Sequence, residues 1–136
     1  GPADRSGGVL TEASLSGDKV ASHTDALDMI VDSGAIFMLT ANKVTAMTRS
    51  YRRAIWNQSV EAGNALALAG KTLFVGSNDK VSAFNAANGK ALWSGPVPGR
   101  ALGLAVANGA LLVSTDTGTI VSFGQASDQP SAWILY

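Results

Sequence analysis

The three tryptophans of this chain, Trp56, Trp93 and Trp133, are spaced 37 and 40 residues apart, and each stands in the last part of a four-part pattern that recurs along the chain. The best-formed copy reads ALALAG at 65–70, KTLFVGSND at 71–79, KVSAFNAANG at 80–89 and KALWSGPVPG at 90–99. The copy before it reads LDMIVDSG, AIFMLTAN, KVTAMTRSY and RRAIWNQSV; the copy after it reads GLAVANG, ALLVSTDTG, TIVSFGQASDQP and SAWILY. Each part has the length of a strand and ends at a turn signal. Internal repetition of this kind must be read before any local feature, because it dictates the architecture.

The parts alternate with a period of two, as in KTLFVGS, where Leu73 and Val75 point one way and Thr72 and Phe74 the other. Runs that are apolar on both faces, AIFML at 35–39 and ALLV at 110–113, predict strands covered on both sides, as in sheets stacked face to face. Asn88-Gly89, Asn108-Gly109 and Thr117-Gly118 supply residues that tolerate positive φ where a hairpin reverses. Long amphipathic runs, which a helical solenoid of this period needs, are missing. The expected fold is therefore all-β, with about three antiparallel four-stranded blades of a β-propeller, amounting to a partial or half propeller.

The expected organisation is a tag remnant and flexible N-terminus at 1–8, an outer-strand remnant (VLTEASL, 9–15) with a crossing loop at 9–25, and three blades over 26–136, at about 26–64, 65–101 and 102–136. Gly1-Pro2 has the form of the stub left after an expression tag is cleaved, so the missing signal peptide says nothing about the natural precursor. Ten basic and ten acidic residues cancel, and no block of one sign stands out, which gives no reason to expect nucleic acid or membrane insertion. No apolar run reaches the roughly 18 residues of a spanning helix, and the chain reads as soluble. Without cysteine, disulfides, thiolate metal sites and thiol nucleophiles are excluded.

The segment AFNAANGKALW at 83–93 resembles the A-x-D-x-x-x-G-x-x-x-W docking motif of the quinoprotein-like (PQQ-like) propeller repeats, with Asn85 where Asp is usual. The resemblance covers roughly residues 26–136 and extends to propeller segments of bacterial β-barrel assembly lipoproteins and of larger multidomain bacterial proteins, some of them linked to methyltransferase domains. It implies that Ala83, Gly89 and Trp93 serve blade docking, with Trp56 and Trp133 at the matching tryptophan positions. The first copy keeps Ala46 and Trp56 but has Arg52 or its neighbour in place of the Gly; the third keeps Trp133 and loses both Ala and Gly. The resemblance also implies a periplasmic or extracytoplasmic location.

Candidate chemistry is sparse. A quinoprotein dehydrogenase needs a ring of blades around the quinone, a bound ion, an Asp base and usually a vicinal disulfide, and three cysteine-free blades do not supply these. His23 is the single histidine, near Asp25, Asp28 and Asp32, but this stretch has neither the ligand set Zn²⁺ prefers nor a calcium loop. Asp79 and Asp116 fall in equivalent turns and read as turn-makers. The cluster Arg49, Tyr51, Arg52, Arg53 lies at a hairpin tip, where a solvated turn and a contact for a partner or a phosphate are both open readings.

The expectation is a non-enzymatic scaffold or protein-interaction module, with no catalytic residue, cofactor or metal, belonging to a larger extracytoplasmic bacterial protein. The alternative is the propeller portion of a quinoprotein-like or multidomain enzyme whose active site lies elsewhere. Partners are expected to be proteins or other domains of a parent chain, or a second copy that closes a six-bladed ring.

Overall fold

The computed structural model describes residues 26–125 and 133–135. The segments at 1–8 and 9–25, and His23 and Asp25 with them, lie outside the described residues. Ten strands follow in order: β1 (Asp28–Val31), β2 (Ala35–Leu39), β3 (Lys43–Thr48), β4 (Ala54–Ser59), β5 (Ala65–Ala69), β6 (Thr72–Asn85), β7 (Ala91–Ala107), β8 (Ala110–Thr115), β9 (Ile120–Gln125) and β10 (Trp133–Leu135). Every pairing is antiparallel, and the ladders run β1-β2-β3-β4 and β10-β9-β8-β7-β6-β5.

The second ladder contains two blades, because β6 and β7 each serve two positions. A straight strand of 14 residues would hold its ends about 45 Å apart. Yet the Ala86 N–H, just past one end of β6, donates to the Lys71 carbonyl, just before the other, at 2.8 Å. β6 is therefore a hairpin, reversing at Asp79, whose φ is +66°. Its first arm pairs with β5 (Ala65↔Gly76 to Ala69↔Thr72), its second with the start of β7 (Val81↔Gly95, Ala83↔Trp93). β7 then passes Gly99, at φ +109°, and pairs with β8 from Ala101↔Thr115 to Ala107↔Ala110. Blade 1 is thus β1–β4. Blade 2 is β5, the two arms of β6 and the first part of β7; blade 3 is the rest of β7 with β8, β9 and β10.

Alternation along the second strand of each blade decides what touches what. In blade 2, Leu73 and Val75 enter a cluster with Phe37, Leu39, Val44, Ala46 and Trp56 of blade 1. Phe74, between them, enters a second cluster with Leu111, Val113 and Phe123 of blade 3. All three side chains are fully buried, and each such burial contributes roughly 1.5–3 kcal/mol. On blade 1, the face turned away from blade 2 carries Ile36, Met38 and Met47, also buried, in a third cluster with Ala26.

The turns follow the sequence expectation. Gly89, Asn108, Gly109 and Gly118 all have positive φ. The β3–β4 turn differs, with Tyr51 at +62° and Arg52 at +48° where residue types gave no sign of it.

Candidate functional site

The junction between blades 1 and 2 is built on Trp56. Ala46, completely buried, lies directly across the ladder from Trp56, and this small partner leaves room for the indole to lie against blade 2. The ring packs between Phe37 and Phe84, each 6.3 Å away centre to centre. Its Nε1–H donates to the Ala86 carbonyl at 2.8 Å, inside the β6–β7 turn of blade 2. The same turn brings Gly89 against the indole: a Cβ built at Gly89 would lie 2.5 Å from Trp56 Cδ2, and φ is +77°. Only glycine meets both demands without strain. Gln58 completes the contact, its Nε2 donating to the Gly89 carbonyl at 2.7 Å.

Asn85 explains how the turn holds without the usual Asp. Its Oδ1 accepts from the Ala87 N–H at 2.8 Å and the Asn88 N–H at 3.2 Å, an acceptor's task that an amide oxygen performs without a charge. Gly89 thus meets the tryptophan of the preceding blade, and Trp93 serves the next junction. Trp93 lies across the ladder from the buried Ala83 and meets Phe123 of blade 3 edge to face at 5.0 Å. In blade 3 the Trp133 backbone pairs with Gln125; the turn at 126–132 and the Trp133 side chain lie outside the described residues.

Two cross-blade contacts are invisible in the repeat pattern. Asp28, at the start of β1, accepts the Leu66 N–H of β5 through Oδ2 at 3.0 Å. At the next connection Asp116 accepts the Arg100 N–H at 2.8 Å and meets its guanidinium Nε at 3.3 Å. The backbone N–H of Arg100, then its guanidinium, hold the Asp116 carboxyl below its ordinary range. Asp79 and Asp116 thus sit in turns, as their positions in the repeat imply.

Between β4 and the outer strands of blade 2 a cleft of about 470 Å³ opens, lined among others by Gln58, Ser59, Lys80, Ser82 and Ser94. Among the described residues its polar lining consists of hydroxyls, an amide and one ammonium, with no carboxylate or imidazole to move a proton. Asp28 and Asp32 join no group of three or more acidic or histidine ligands among the described residues.

The face of blade 3 turned away from blade 2 carries the same ladder positions. Leu112 takes the ladder position held by Phe37 and Phe74, and Ile120 that of Val44 and Val81. Val44 and Val81 are completely buried and Ile120 is 70% exposed; Phe37 is 3% exposed and Leu112 38%. Small residues pair with them across the ladder, Ala105 and Ser122 with Leu112 and Ser114 with Ile120.

Four-stranded antiparallel blades packed face to face, each docked through a tryptophan on its neighbour, define a section of β-propeller. Residues 4–94 and 40–134 match the model of the family described as outer membrane protein assembly factor BamB. The chain belongs to this family of PQQ-like propellers. No curated protein matches it. Among solved structures it is similar to BamB from Moraxella catarrhalis, at 15% identity and a TM-score of 0.68, over 79% of this chain and 33% of BamB. It is similar to the quinohemoprotein alcohol dehydrogenase ADHIIG from Pseudomonas putida HK5 at 18% identity and a TM-score of 0.64, over 71% of this chain and 18% of the enzyme. The computationally designed Ika4 protein is similar at 12% identity and a TM-score of 0.68, over 75% of this chain and 68% of the design. These likenesses are of fold. The chain spans about a third of the length of BamB and less than a fifth of the dehydrogenase.

Proposed function

We propose that this chain is a non-enzymatic propeller module of a larger extracytoplasmic bacterial protein, and that it works by presenting blade faces and turns to protein partners or to other domains of its parent. The observation that carries this reading is the open face of blade 3. Leu112 and Ile120 stand in solvent at positions that blades 1 and 2 use to bury one sheet on the next. Soluble proteins cover such a face. In this reading Trp56, Ala83, Gly89, Trp93 and Trp133 are blade-docking residues, and their chemistry is packing. The family description, an outer membrane protein assembly factor, supports a role in contacts between proteins, and the same kinship supports the extracytoplasmic location.

Two measurements test it. Light scattering behind size-exclusion chromatography, across protein concentrations, asks whether a second copy covers the face. A mass near twice 13.9 kDa that Ile120→Lys abolishes supports a homodimer, and a constant monomer directs the face to another partner. A thermal melt with pyrroloquinoline quinone and Ca²⁺ asks whether these blades hold the quinoprotein cofactor. A rise in Tm would sink the non-enzymatic reading, since a ligand that binds only the native state raises it.

A further inference from the structure

Tyr51 and Arg52, at the tip of the β3–β4 hairpin, both have left-handed φ, +62° and +48°. This conformation costs an L-residue roughly 1–2 kcal/mol and is rare for a bulky side chain. The turn between β7 and β8 also has two consecutive positive φ values, and there the residues are Asn108 and Gly109, the pair that relaxes such a turn. The same chain therefore uses the unstrained solution at one hairpin and forgoes it at another.

The strained tip is firmly held. The Thr48 N–H donates to the Arg53 carbonyl at 2.9 Å, and the Arg53 N–H donates to Thr48 Oγ1 at 3.1 Å. The Thr48 hydroxyl in turn donates to the Ser50 carbonyl. Strain that its surroundings fix in place is characteristic of ligand clamps.

What the tip displays is specific. Tyr51 is 87% exposed, the most exposed large apolar side chain among the described residues. Arg49, Arg52 and Arg53 place three of the ten basic residues within five positions of a chain whose net charge is zero; Arg49 and Arg53 are exposed and Arg52 is half-buried. Among the described residues, Asp32, in the β1–β2 turn, is the one acidic residue in the turns at this end of the blade. Tyrosine and arginine are the side chains that most often carry binding energy at protein interfaces, and the arginine fork matches carboxylates. A patch limited to one hairpin on a chain of balanced charge suits a short acidic segment better than a long polyanion.

We propose that this hairpin tip docks an acidic, extended segment of a partner protein, with Tyr51 as the apolar anchor and the exposed Arg49 and Arg53 as carboxylate receivers. This rests on reading the chain as an interaction module. The test uses the whole chain and a short dye-labelled peptide rich in glutamate, aspartate and leucine, followed by fluorescence anisotropy. Tyr51→Asn puts a residue that tolerates left-handed φ at the first strained position and removes the anchor; the expected result is an undiminished Tm together with at least about tenfold weaker peptide binding. Arg49→Glu with Arg53→Glu keeps the turn residues and is expected to weaken binding as much. The proposal is overturned if the chain does not bind the peptide, if either variant binds it as well as the parent, or if vesicles containing phosphatidylserine bind in its place. If the blade 3 face still engages a partner, such a failure removes only the tip assignment.

Discussion

Replacing Gly89 by alanine tests the docking geometry where it is tightest. The new Cβ faces two penalties: a left-handed φ of +77°, and an indole carbon 2.5 Å away where van der Waals contact needs over an ångström more. The first costs roughly 1–2 kcal/mol. For the second, Trp56 must move, weakening its bond to the Ala86 carbonyl, worth about 1 kcal/mol, and straining a junction where overpacking costs about 1–3 kcal/mol. The expected loss is about 3–5 kcal/mol, a large part of the roughly 5–15 kcal/mol by which domains are stable. Urea unfolding followed by circular dichroism measures it. The Trp56→Leu background separates the two penalties: with the ring gone, Gly89→Ala is expected to cost only the backbone share, about 1–2 kcal/mol. An equal cost in both backgrounds would refute the claim that Gly89 is glycine because Trp56 lies against it.

Three further outcomes can be measured with little more than a melting curve. Asp28→Ala leaves the Leu66 N–H without its carboxylate acceptor between blades 1 and 2, and is expected to cost about 1–3 kcal/mol in urea titrations. Asn85→Asp gives the two N–H donors of the β6–β7 turn a charged acceptor, with an expected gain of roughly 0.5–1 kcal/mol near neutral pH that fades below about pH 4. The Asp116 carboxyl is lowered from its ordinary 3.8, so its contribution is complete above that value and disappears as pH falls through the folded-state pKa; Asp116→Asn is expected to flatten the acid limb of Tm against pH.

The repeat was legible because the forces that shape it act within short windows. Strand alternation, Asn-Gly turns and tryptophan spacing each depend on neighbours a few residues apart, and together they indicate the blade architecture. Contacts between copies were not legible. Gln58 reaches Gly89 across 31 residues, and Asp28 reaches Leu66 across 38, with ordinary polar side chains that carry no motif. The strained turn was hidden for the opposite reason: Tyr51 and Arg52 are residues that argue against the conformation they adopt. The motif placed Ala83, Gly89 and Trp93 in one copy, whereas the geometry gives Gly89 to the tryptophan one copy earlier, since docking is a property of pairs of blades.

Among the described residues blade 2 is sheltered on both faces and blade 1 has buried side chains on both of its own, whereas blade 3 packs a neighbouring blade on one face. In an array where each unit touches only adjacent ones, cooperativity is transmitted junction by junction. Fraying therefore begins at the strands that carry Leu112 and Ile120 and reaches the β6 hairpin last, an order that amide hydrogen exchange would record as a gradient of protection. Whatever binds over the exposed end of the array then acts as a clasp, damping fluctuations in blades that it never touches.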